Sequence, residues 1–171
     1  MDIIGRRTEK RELQRFYDSD KPELIIVYGR RRVGKTYLIK EFFGNNFTFY
    51  FTGSVASTNA KNLVNFDKAI IEFGGAAPRA SKDWGDAFEK LKTLLIGHRG
   101  NKMVVFFDEM PWLDARGSDF QQAFDYFWNS WASSVPEILF IGCGSATSWI
   151  TKKIFQNRGG LHNRITGRIY R

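Results

Sequence analysis

The sequence has a single cysteine, Cys143, so no internal disulfide can form and no cysteine-rich metal site can be assembled. Lying in the apolar run Ile138-Leu-Phe-Ile-Gly-Cys143, it is expected to pack as a small buried hydrophobe. Long apolar stretches are missing as well. Runs such as Met103 to Phe107 and Ile138 to Ile141 fall well short of the roughly 18–20 residues that a bilayer-spanning helix needs. The opening Met-Asp-Ile-Ile-Gly-Arg-Arg has no apolar signal-peptide centre, so a cytoplasmic setting without a membrane partner is expected. There is no internal repeat, no low-complexity tract and no linker that would divide the chain. With 43% hydrophobic and 26% charged residues, disorder is excluded as the main state, and 171 residues correspond to one domain.

The charge balance is 26 Lys and Arg against 18 Asp and Glu, a formal +8. Such a surplus favours anionic partners, nucleotides and nucleic acid among them, without selecting one. The basic residues are scattered and no helix-turn-helix or RNA-binding signature stands out. A basic nucleic-acid-binding module with a regulatory or non-hydrolysing nucleotide site is nevertheless the alternative to weigh against an enzyme.

Apolar spacing alternates between helical and strand periods, which predicts an α/β fold with helices covering a parallel sheet. Helices are expected over Thr8–Tyr17, Lys35–Phe43 and Thr58–Phe73, and another follows Asp83, marked by Trp84, Phe88, Leu91 and Leu95. Phe120, Phe124, Phe127, Trp128 and Trp131 share one helical stripe, and they are read as core before any base-stacking role. Strands are expected at Leu24–Tyr28, Phe47–Thr52, Met103–Phe107 and Ile138–Gly142. Gly167-Arg-Ile-Tyr-Arg171 reads as the opening of a fifth, cut-short strand, so the chain is expected to be the N-terminal part of a longer polypeptide.

Between the first strand and the second helix, Gly29-Arg30-Arg31-Arg32-Val33-Gly34-Lys35-Thr36 satisfies G-x-x-x-x-G-K-[ST]. Glycines let the backbone wrap phosphate oxygens and aim successive N–H groups at negative charge. Lys35 can reach the β- and γ-phosphates and the Thr36 hydroxyl can ligate Mg²⁺. Arg30, Arg31, Arg32 and Val33 fill the loop and Tyr37 follows it, so all are candidates for nucleotide contact.

Hydrolysis needs a carboxylate for the metal shell and a group that orients water. Asp108 and Glu109 end the apolar strand Met103-Val-Val-Phe-Phe, and consecutive residues at a strand end point opposite ways. Asp108 is therefore assigned to Mg²⁺ and Glu109 to general base or water positioning. Ser145, in the polar loop after the fourth strand, is the candidate γ-phosphate sensor. Arg158, Arg164 and Arg168 are candidates for a transition-state cation, acting in cis or on a neighbouring copy, with Arg164 the first choice.

Taken together, these residues resemble the prokaryotic AAA-type ATPases of the archaeal ATPase group, relatives of the STAND signalling NTPases. The likeness spans nearly the whole chain. It rests on Ile4-Gly5-Arg6-Arg7-x-Glu9-x-x-x-Leu13, the P-loop wording, Tyr50-Phe51 through Asn62-Leu63-x-x-Phe66, Asp108-Glu109-Met-Pro111-Trp112-Leu113 and Gly144-Ser145. The resemblance implies a three-layer P-loop NTPase core with strand order 5-1-4-3-2 and an added strand between the P-loop and acidic strands. It also implies that Ile4, Gly5 and Arg6 border the adenine, and that ATP is preferred over GTP. A helical lid, a winged-helix segment and often a nuclease-like domain follow the core in that family. The function it implies is a Mg²⁺-dependent ATPase working as a conformational switch, with ATP or ADP as partner and self-assembly open.

Overall fold

The computed structural model describes residues 6–29, 34–54, 58–114, 117–145 and 164–170. In chain order they form α1 (Arg6–Tyr17), β1 (Glu23–Tyr28), α2 (Lys35–Phe43), β2 (Phe49–Thr52), α3 (Asn59–Glu72), α4 (Trp84–Ile96), β3 (Met103–Asp108), α5 (Phe120–Ser130), β4 (Ile138–Gly144) and β5 (Gly167–Tyr170). Short 3-10 turns occupy Met110–Leu113 and Ala132–Ser134. The strands build one sheet in the order β2-β3-β4-β1-β5, with every pairing parallel. Read from the β5 edge this is the expected 5-1-4-3-2. Among the described residues no helix is long and apolar enough to cross a membrane.

Uninterrupted apolar strands fit this architecture because β3 and β4 are buried along their whole length and meet protein on both faces. Alternation sorts their side chains. Met103, Val105 and Phe107 join Ile138 and Phe140 against α3, α4 and α5, while Val104, Phe106, Leu139 and Ile141 pack towards α1 and α2. The layer beneath α3, α4 and α5 is largely aromatic. Phe66, Trp84, Phe88, Phe107, Phe120 and Phe124 are all buried there and meet one another in tilted and edge-on pairs. The α5 stripe is therefore core, as expected, and so is Cys143, which is 1% exposed.

Several boundaries differ from the periodicity, β4 among them, which runs on to Gly144. β2 starts at Phe49 rather than Phe47, because the Thr48 hydroxyl accepts from the Val104 N–H at 3.1 Å in place of a main-chain oxygen. Trp131 lies beyond α5, where its φ of −140° ends the helix. β3 runs one residue further than expected, through Asp108.

Helix starts are fixed by polar side chains. Thr58 accepts from the Lys61 N–H at 3.2 Å and Asp83 from the Asp86 N–H at 2.8 Å. Asp119 crosses from the start of α5 to accept from the N–H groups of Trp84 and Gly85 at 2.9 and 3.2 Å, which ties the first turn of α4 to α5.

On α5, the Asp125 carboxylate has one buried oxygen without a hydrogen-bond partner among the described residues, and burial pushes its pKa up to about 6 from 3.8. The folded state thus holds this proton over a range where the unfolded chain has released it. Stability falls as pH rises from about 4 to about 6 and then levels off. Asp125→Asn is expected to melt above the wild type at pH 7 and to lose that advantage by pH 4. Melting curves that differ equally at both values would contradict the assignment.

Candidate functional site

The parallel register collects the C-terminal strand ends on one edge of the sheet. Tyr28 of β1 stands opposite both Gly144 and Tyr170, and Thr52 of β2 stands opposite Asp108. Gly29, Gly53, Asp108 and Ser145 therefore emerge together, and α2 begins at the same edge. Gly34, immediately before α2, has φ +80° and ψ +24°, a left-handed conformation that a glycine adopts without steric cost. A helix that opens on this turn carries the positive end of its dipole at the same edge, which favours negative charge there.

Lys35 opens α2 and is 6% exposed, with its Nζ donating to the Gly29 carbonyl at 3.3 Å. Its neighbour Thr36 donates from Oγ1 to Asp108 Oδ2 at 2.7 Å, across 72 residues of sequence. Asp108 alternates in phase with Val104 and Phe106, so its carboxylate faces the α2 layer that carries Thr36. Its second oxygen, Oδ1, accepts from the Glu109 N–H at 2.9 Å. The carboxylate is 5% exposed. Its charge reaches both adjoining strands. Burial first and the Asp108 carboxylate second raise the pKa of Tyr50 on β2, and the same causes in the same order push the Cys143 thiol on β4 well up.

Glu109 turns away from Asp108, but strand alternation is not the reason. β3 has already ended, and Glu109 takes a left-handed backbone, φ +52° and ψ +41°, that starts the 3-10 turn Met110–Leu113. Its Oε2 accepts from the Trp112 indole N–H at 3.0 Å. Glu109, Trp112 and Ser145 share a groove of about 820 Å³ with Thr52 at the end of β2, Ser54 beyond it and Lys68 on α3. The sensor candidate and the base candidate thus meet in one cleft. Trp112 is a member that residue-by-residue chemistry missed. Its i, i+3 spacing from Glu109 was the available signal.

Other candidates fall elsewhere. Arg30, Arg31, Arg32, Val33, Ile4, Gly5 and Arg158 lie outside the described residues, and Arg6 is described only by its backbone at the start of α1. Tyr37 is 58% exposed on α2. Arg164 lies apart from the others. Thr166 bonds to Leu24 and Gly167 stands opposite Ile25, so β5 enters at the N-terminal edge of the sheet. Arg164 precedes that entry and is solvent-exposed at the edge opposite Lys35, so the fold does not bring it to the site in cis.

The donor set suits a hard cation. A hydroxyl and a carboxylate oxygen are held together in a nearly dry position, and Mg²⁺ takes one or two carboxylates and completes its shell with water and phosphate oxygens. Among the described residues no cluster of three His, Cys, Asp or Glu side chains could bind a metal by itself, which this mode does not require.

Residues 4–170 match the family described as an ATPase domain predominantly from Archaea. An uncharacterized protein of Methanocaldococcus jannaschii is 26% identical over 165 residues, covering 96% of this chain and 34% of that protein. An uncharacterized ATP-binding protein of the same organism is 52% identical over 43 residues, 25% of this chain and 73% of that protein. The fold is similar to that of the Walker-type ATPase of Pyrococcus abyssi, with TM-score 0.66 and 21% identity over 99% of this chain and 53% of that one. It is also similar to the ORC2 protein of Aeropyrum pernix, solved in ADPNP and ADP complexes, with TM-score 0.65, 19% identity, and 99% and 48% covered. The chain thus spans about a third of the first curated relative and about half of these solved structures.

The Thr36–Asp108 bond can be tested without nucleotide. Thr36→Val keeps the side-chain shape and leaves a buried carboxylate oxygen without its donor, which is expected to cost about 1–3 kcal/mol. Urea unfolding of the nucleotide-free chain measures it, and an unchanged midpoint would contradict the bond.

Proposed function

This chain belongs to the family of ATPase domains found predominantly in Archaea, and from that premise we propose that it binds ATP with Mg²⁺ and hydrolyses it as a conformational switch. The observation that carries the reading is the 2.7 Å bond from Thr36 to Asp108, which joins the helix that follows the P-loop to the acidic strand. The family match favours this over a basic nucleic-acid-binding module.

In this reading the N–H groups around Gly34 and at the start of α2 bind phosphate oxygens, and Lys35 exchanges its carbonyl partner for the β- and γ-phosphates. Thr36 and Asp108 would hold Mg²⁺, which when bound neutralises phosphate charge and polarises the γ-phosphoryl group. Glu109 orients a water for attack and accepts its proton as the bond from the γ-phosphorus to the bridging oxygen breaks, leaving ADP and phosphate. The Ser145 hydroxyl donates to the γ-phosphate. Loss of that phosphate removes the contact that orders the Ser145 loop, which is the switching step. Arg164 is retained only as a cation supplied to a second copy. The proposed setting is the cytoplasm, which supplies both ATP and Mg²⁺.

ATP with Mg²⁺ is expected to raise the melting temperature, the equivalent of about 2.7 kcal/mol at a hundred times Kd, and Lys35→Ala to abolish the rise. Glu109→Gln is expected to keep the protection while slowing phosphate release roughly 100-fold or more. Thermal shift and phosphate-release assays read the two separately. Protection that survives Lys35→Ala would sink the binding mode, and undiminished turnover by Glu109→Gln would sink the assignment of the base.

A further inference from the structure

We infer that Trp112 is a positioning residue for Glu109, fixing through its indole N–H which carboxylate oxygen meets the attacking water. The inference rests on the proposed role of Glu109 and adds the device that aims it.

The turn that carries both residues is anchored from below. Met110, Pro111 and Leu113 are buried, whereas Glu109 and Trp112 are only half-buried and line the groove. Two glycines make room for the anchor. A Cβ on Gly142 of β4 would lie 2.7 Å from Met110 Sδ, and one on Gly53 would lie 2.7 Å from the Glu109 carbonyl oxygen and 2.9 Å from Leu113 Cδ2. The Gly53 N–H also donates to the Asp108 carbonyl at 2.9 Å, so the segment after β2 clamps the turn.

In a 3-10 turn, side chains at i and i+3 eclipse one another. Glu109 and Trp112 are so spaced, and the Trp112 main-chain N–H donates to the Glu109 carbonyl at 3.1 Å. The side-chain bond, Trp112 Nε1 to Glu109 Oε2 at 3.0 Å, repeats that link on the groove side. A carboxylate on a flexible side chain ordinarily presents either oxygen. Here Oε2 is engaged by a donor on the same turn, so Oε1 is the oxygen left to orient water and take its proton. Because donor and acceptor share one anchored turn, the aim is set before nucleotide arrives, a form of preorganisation.

Nuclear magnetic resonance and kinetics test this on the same chain. The indole Nε1–H resonance that disappears in Trp112→Phe identifies the group without nucleotide. In Glu109→Gln that resonance is expected to shift upfield, because a neutral amide oxygen is a weaker acceptor than a carboxylate. Trp112→Phe keeps a ring in the groove and is expected to lower kcat roughly tenfold or more, the worth of one hydrogen bond to a charged acceptor, with KM for ATP unchanged. In the Glu109→Gln background the same substitution is expected to cost nothing further. An indole resonance indifferent to Glu109→Gln overturns the inference, as does wild-type kcat in Trp112→Phe or an equal loss in both backgrounds. Undiminished turnover by Glu109→Gln itself removes the base and the positioning role together, whereas slow turnover by that variant beside wild-type turnover by Trp112→Phe rejects Trp112 alone.

Discussion

The site depends on the parallel register of β3, β4 and β1. Parallel pairing places every C-terminal strand end on one edge, and right-handed crossovers return the chain to the opposite edge before each new strand. Residues far apart in sequence therefore arrive together without any contact having been selected for them singly. Thr52 opposite Asp108, Phe107 opposite Gly142 and Tyr28 opposite Gly144 are enough to bring Gly29, Gly53, the two acids and Ser145 into one neighbourhood. A one-residue slip of β3 would turn Asp108 towards the aromatic layer and Phe107 towards α2, burying a carboxylate among phenyl rings. The interleaved aromatics beneath α3, α4 and α5 make that slip costly, so the packing of one face of the sheet protects the chemistry of the other.

In the proposed mechanism the two acids divide the work by backbone type. Asp108 is the last residue of a buried strand, with a hydroxyl on one oxygen and a main-chain N–H on the other, so it has little room to move. Glu109 sits one residue on, in a left-handed conformation uncommon for a side chain of its size. A group that holds charge in place benefits from a rigid strand. A group that has to meet water benefits from the break, since the reversal at Glu109 carries its carboxylate out of the sheet and into the groove. The buried side chains of Met110 and Leu113 offset the cost of the unfavourable φ, and observed strain of this kind concentrates where geometry serves function.

Much of this was legible in the amino acids because the chemistry demands particular types at fixed spacing. Glycine and lysine before a helix, and paired acids after an apolar strand, have few substitutes. Strands buried on both faces also advertise themselves as unbroken apolar runs. What escaped depends on geometry that local periodicity does not encode. The Thr48 hydroxyl takes over a ladder position, which only the proximity of Val104 makes available. Asp119 caps a helix that begins 35 residues before it. The left-handed turn at Glu109 belongs to no residue-type rule, and with it came the wrong physical reason for the right divergence of the two carboxylates. Trp112 belongs to the acidic motif, but the bond it makes to Glu109 exists only once that turn is formed.

Arg164 is remote from the phosphate cradle of its own chain. Strands advance about 3.3 Å per residue, so the five steps from Leu24 to Gly29 separate the two edges of the sheet by roughly 16 Å. Thr166 enters at the Leu24 level and Arg164 precedes it, well beyond the reach of one arginine side chain from the phosphate cradle. β5 does approach the cradle, but at its other end, where Tyr170 stands opposite Tyr28 and the two rings meet edge-on at 5.2 Å. The strand therefore offers the site an aromatic pair in cis, and the role proposed for Arg164 requires a second copy. In that reading the negative charge developing on a transferred phosphoryl group is met by Lys35, a metal and a group arriving from another copy. Coupling hydrolysis to the arrival of such a group is one way an ATPase core becomes a switch.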